Sequence, residues 1–216
     1  GSVGIALAND GSSHDEELLA WLASDDQDLT STAMSYFSTR YAHEGFALIT
    51  GLLERDNLTV DQRARLLLVA RDNLPEAWAL ATADPELEIR YWEAFQPFGL
   101  GQDFDMVDEV SDRLIQAGRY ADVLHLMSMY SHIDKDGLRP QAAKLIVRAL
   151  DGLLADQAQS AAARDLSTYD FQQLFSYLEA MRDHLASGDL VRLQWSYLPA
   201  LGFDAKVPTL SESLAV

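Results

Sequence analysis

From about Ser13 onward, apolar residues recur three and four positions apart, and strict alternation is almost absent. That periodicity predicts helices rather than strands. Ser13-His-Asp-Glu16 reads as a capping box ahead of Leu18, Leu19, Trp21 and Leu22. Asp28 or Thr30 caps a helix bearing Met34, Phe37 and Tyr41, which either breaks at Gly45 or runs on through Phe46, Leu48, Ile49, Leu52 and Leu53. Thr59 with Gln62 forms a second capping box, before Leu66, Leu67 and Leu68. Pro75 and Pro85 open two further helices, since a helix has no use for an N–H in its first turn.

Pro97, Gly99 and Gly101 make a loop, after which Asp103 or Asp105 begins a helix with Val107, Val110 and Leu114 that stops at Gly118. Tyr120, Val123, Leu124, Met127 and Tyr130 then lie on one helical face. Pro140 leads a run with Leu145, Ile146, Leu150, Leu153 and Leu154, and a polar, alanine-rich bridge follows over 157–165. Ser167 or Asp170 starts a helix with Phe171, Leu174, Phe175, Leu178 and Met181. Beyond Ser187-Gly188, Leu190, Leu193, Trp195, Leu198 and Leu201 supply the last apolar face.

The expected fold is therefore all-α, with about ten helices of roughly 10 to 16 residues in antiparallel hairpins. Starts at Pro75, Asp105 and Pro140 are 30 and 35 residues apart. That spacing belongs to helical-hairpin repeats and predicts an α-solenoid-like stack or right-handed superhelical array. A compact bundle without repeat symmetry is the alternative. Residues 1–12 are expected as a flexible segment opening on a tag scar, Gly1-Ser2. Residues 13–203 are expected as a single helical-repeat domain. Residues 204–216 read as a tail in which Thr209–Val216 starts like a capped helix and stops, as in a piece cut from a longer protein.

The stretch Leu114-Ile-Gln-Ala-Gly-Arg-Tyr-Ala-Asp-Val-Leu-His-Leu-Met127 joins two amphipathic runs at one glycine. It resembles the helix–turn–helix joint of tetratricopeptide-like or HEAT-like repeats over about 20 residues. No Trp-x-x-Leu-Gly-x-x-Tyr helix precedes it, so the resemblance implies the joint and the stacked hairpins rather than that family's peptide groove. With Arg90-Tyr-Trp-Glu-Ala-Phe-Gln-Pro-Phe-Gly-Leu-Gly101 and Leu193-Gln-Trp-Ser-Tyr-Leu-Pro-Ala-Leu201, the chain is also similar to helical-repeat segments of large multidomain bacterial proteins.

Composition narrows the partners. Apolar residues make up 48% of the 216, enough for a core, and only 12 Gly and 6 Pro argue against a turn-rich all-β fold. Cys is absent, which removes disulfides and thiolate zinc sites and fits a reducing cytoplasm. With 34 acidic against 16 basic residues the net charge is −18, a field that repels nucleic-acid phosphates and anionic membranes. The acidity serves solubility, or in the sharper reading meets a partner with a basic surface. No run approaches the roughly 20 apolar residues that span a bilayer, and no basic segment marks a signal peptide.

Candidate chemistry is thin. His43-Glu44 begins like a zincin motif, but Ala47 stands where the second histidine belongs. His125 and His132, seven apart, with Asp134 and Asp136 nearby, form a weak metal constellation, outweighed by a reading as surface or helix-end residues. Asp25, Asp26 and Asp28, and Asp103, Asp105 and Asp108, sit where helices begin, and acidic groups there favour the helix dipole over a cation. No Gly-x-Ser-x-Gly elbow is present, and Gly99-Leu-Gly-Gln102 lacks the lysine and strand of a phosphate loop. Tyr91, Trp92, Phe95 and Phe98, and likewise Trp195 with Tyr197 and Pro199, read as core before they read as a peptide groove.

No catalytic, cofactor-binding or metal residue is therefore assigned. The expectation is a non-catalytic helical-repeat interaction or sensor module of a larger cytoplasmic bacterial protein, binding a protein or peptide. The alternatives are a helical accessory domain of an enzyme, and a helical bundle that binds a small ligand or metal.

Overall fold

A computed structural model describes residues 2–10, 12–97, 100, 104–133, 139–156 and 166–198. Among these residues the chain forms twelve α-helices and no strand. They group into two compact units, residues 1–96 and 97–216, a division that the reading of 13–203 as one domain does not anticipate. The tail over 204–216 and the bridge over 157–165 lie outside the described residues.

The first unit holds α1 (Ser2–Asn9), α2 (Asp15–Leu22), α3 (Gln27–Glu44), α4 (Phe46–Leu53), α5 (Val60–Val69), α6 (Leu74–Thr82) and α7 (Pro85–Ala94). Residues 2–9 were expected to be flexible, but they form a helix packed on α3. Gly4 is the residue that permits it. A Cβ there would meet the Thr32 carbonyl oxygen and lie 2.9 Å from the Tyr36 nitrogen, so only glycine lets the two backbones approach.

Local signals decide most boundaries. Thr59 and Gln62 make the reciprocal capping box, Gln62 N to Thr59 Oγ1 at 3.2 Å and Thr59 N to Gln62 Oε1 at 2.8 Å. Asp84 caps α7 ahead of Pro85, accepting from Glu86 N at 3.0 Å. Gly45, at φ 71°, ends α3 and starts α4, so the run through Phe46 is a break and not one long helix. Two expected caps move. Asp26, rather than Asp28 or Thr30, caps α3 by accepting from Asp28 N at 2.8 Å. Ser13 caps nothing, because α2 begins at Asp15 with His14 at its N-cap position. Asp15 is instead drawn into tertiary contacts, accepting from Tyr36 Oη at 3.0 Å and Arg55 Nη2 at 3.3 Å, and pairing with Arg40.

The second unit holds α8 (Phe104–Gln116), α9 (Tyr120–Ile133), α10 (Pro140–Ala155), α11 (Thr168–Ala180) and α12 (Asp189–Ser196). Gly118 takes φ 73° and closes α8 as a Schellman turn, with Arg119 N donating to Leu114 O at 2.8 Å and Gly118 N to Ile115 O at 3.0 Å. The glycine read from sequence as the joint of a hairpin does that work. Ser167 caps α11 in a box with Asp170, whose other oxygen accepts from Ser128 Oγ on α9 at 2.8 Å. Helices of this unit pack on the next and the next but one: α8 on α9 and α10, α9 on α10 and α11, α10 on α11 and α12. Tyr120 lies against Gly152, so the hairpin joint clamps the following helix.

Candidate functional site

Most sequence candidates resolve into structural roles. Glu44 at the end of α3 is bound by Arg40, Nε to Oε1 at 2.6 Å and Nη2 to Oε2 at 2.9 Å, while His43 beside it is exposed. Asp26 is a helix cap, and Asp25 and Asp28 flank it at the surface. Asp105 stands in the first turn of α8. Burial, with Asp112 and Asp105 nearby, pushes the Asp108 carboxyl above its ordinary value. Asp103, Asp134, Asp136, Phe98, Pro199 and the His132 side chain lie outside the described residues. Among the described residues no three His, Asp or Glu side chains gather into a metal-holding group.

His125, Ser128 and Asp170 do come near one another, which raises the question of a nucleophile. The order is wrong for one: a working triad places the histidine between serine and carboxylate. Here Ser128 donates directly to Asp170, whose Oδ2 already accepts from Ser167 N at 2.9 Å and Ser167 Oγ at 2.6 Å. Burial works to raise the Asp170 carboxyl, but these hydrogen bonds outweigh it and hold the group below its ordinary value. The result is an ionised capping carboxylate that locks α11 to α9.

The aromatic cluster of the first unit is core. Trp92 packs on Trp78 at 5.7 Å, on Tyr91 at 5.3 Å and on Phe95 at 5.0 Å between ring centroids, and all four residues are buried. Burial pushes the Tyr91 hydroxyl up.

Trp195 is the exception. Expected in the core, it is 58% exposed. The buried stripe of α12 is Leu190, Leu193, Gln194 and Tyr197, at i, i+3, i+4 and i+7, so a glutamine fills the core position and the tryptophan one residue on turns outward. Val191, one turn before Trp195, shares that outer face at 38% exposure.

The helix that carries this face is held firmly. Gly188, at φ 91°, starts α12 in a left-handed conformation that suits glycine. Tyr197 packs on Phe171 at 5.3 Å and donates its hydroxyl to Leu150 O on α10 at 2.7 Å. Arg192 grips Asp151 with both arms, at 2.5 and 3.0 Å, and reaches Asp189 at 3.3 Å; its hydrogen bonds to these carboxylates, Asp151 foremost, hold its guanidinium above its ordinary value. Leu154, 43% exposed, stands one turn beyond Asp151 on α10, as Trp195 stands one turn beyond Arg192. Exposed apolar side chains thus flank a bidentate ion pair on a rigid two-helix platform. Arginine and tryptophan are among the residues enriched at interface hot spots.

Among the described residues no helix is long and apolar enough to cross a membrane. Comparison with protein-family models, curated proteins and solved structures finds no match to this chain.

Proposed function

We propose that the chain is a non-catalytic helical-repeat module of a larger cytoplasmic bacterial protein, and that it binds a protein partner through the outward face of α12. In the second unit, the packing of helices on their next and next-but-one neighbours supports the stacked-hairpin reading, since that is how a quasi-one-dimensional solenoid distributes its contacts.

The observation that carries the proposal is Trp195. At 58% exposure it leaves on the order of 150 Å² of a side chain of ~250 Å² in water. Covering that area is worth up to about 3–4 kcal/mol before the costs of association. Single exposed apolar residues are ordinary, but here Val191 shares the face and Arg192 is pre-ordered beside it.

A photo-crosslinking residue placed at position 195, with Ser176 on the exposed side of α11 as the comparison site, tests the reading in cells. Position 195 should give one dominant adduct that position 176 does not give. Equal adducts from both positions, or none from 195, would count against it.

A further inference from the structure

The charge around α12 bears on what covers it. Two carboxylates, Asp151 on α10 and Asp189 on α12, share the single guanidinium of Arg192, a balance of −2 + 1 = −1 at this ion pair. One arginine thus answers two carboxylates, and negative charge is left in excess there. The whole chain carries −18. A second copy would bring the same acidic face against this one, and like charges across an interface are costly. The apolar side chains pull the other way: Val191 and Trp195, one turn apart on α12, are exposed, and so is Leu154 on the neighbouring α10. Within the second unit, such side chains at one-turn spacing are what one helix offers the next.

We infer that the occupant is a basic amphipathic helix of the partner, its apolar stripe laid on Leu154, Val191 and Trp195 and its Lys or Arg residues set beside Asp151 and Asp189. This inference rests on α12 being the docking face and adds the chemistry of what docks. Charge complementarity chooses the partner's sign, and the exposed tryptophan supplies the anchor.

The test uses three fluorescein-labelled synthetic peptides of equal length. One is a helix with leucine on one face and lysine elsewhere, one has glutamate in place of lysine, and one is a scramble of the leucine–lysine sequence. Binding is read by anisotropy against the wild-type chain, Trp195→Ala, and the double variant Asp151→Asn, Asp189→Asn, each checked for native helix content. The leucine–lysine helix should bind at least tenfold tighter than either control peptide. Trp195→Ala should weaken it at least tenfold, and the double variant about threefold with a flatter salt dependence.

Equal binding of the scramble, or indifference to Trp195→Ala, overturns the inference, because the attraction would then be diffuse charge. Micromolar self-association of the wild-type chain that Trp195→Ala abolishes also overturns it, in favour of a second copy. If the cellular adduct at position 195 forms while the glutamate peptide binds as well as the lysine peptide, the docking face stands and only its charge preference falls.

Discussion

Gly152 and Tyr120 give the sharpest test of the packing, because two effects of known size oppose each other there. Gly152 lies inside α10, where replacing glycine by alanine gains about 1 kcal/mol of helix propensity. The alanine Cβ, however, would lie 2.5 Å from Cδ1 and Cζ of Tyr120 and closer still to Cε1, where no carbon can stay. Forcing the half-buried ring aside costs about 1–3 kcal/mol, as overpacking does elsewhere. Gly152→Ala should therefore destabilise the wild-type chain by about 0–2 kcal/mol. In a Tyr120→Ala background the obstacle is gone, and the same substitution should stabilise by about 1 kcal/mol. The four proteins of this cycle, compared by urea unfolding followed by circular dichroism, should show a coupling of about 1–3 kcal/mol, well above ordinary non-additivity. Equal stabilisation by Gly152→Ala in both backgrounds would refute the contact and, with it, the seating of the hairpin joint on α10.

Gly118→Ala puts a side chain at φ 73° and should cost about 1 kcal/mol in thermal unfolding, while Gly118→Asn should cost less. Asp170 has its carboxyl held low in the folded state, so its contribution to stability is present above the unfolded value of about 4 and fades as pH falls through the lower folded one. Unfolding measured from pH 6 down to pH 2 should show Ser128→Ala narrowing that loss. Asp15→Asn removes the carboxylate shared by Tyr36, Arg40 and Arg55 and should cost about 1–3 kcal/mol, whereas Glu16→Ala, which breaks only the exposed pair with Arg55, should cost less than about 1.

What could be read from sequence divides by the range of the interaction. Thr59 with Gln62, Ser167 as the start of α11, Asp84 before Pro85, and Gly118 all act within a few residues, so their spacing is visible along the chain. Ser13 was misread because Asp15, two residues on, is taken by Arg40 and Arg55, which are 25 and 40 positions away. Helix α1 was missed because Gly4 has meaning only once the α3 backbone lies against it. Trp195 was misread because hydrophobicity was given more weight than position. The i, i+3, i+4, i+7 stripe from Leu190 passes through Gln194, and following it strictly would have turned the tryptophan outward. Leu154 escaped in the same way, as the last member of an apolar run whose earlier members fill the core.

The exposed face of α12 is the centre of the functional account, and one titration bears on it most directly. The partner recovered by crosslinking at position 195, once purified, is titrated calorimetrically against the wild-type chain and against Trp195→Ala. Burying the exposed part of the tryptophan accounts for about 2–3 kcal/mol after association costs, so the variant should bind roughly 30- to 150-fold more weakly with an unchanged unfolding temperature. Equal affinities for the two proteins would contradict the assignment of α12 as the docking surface.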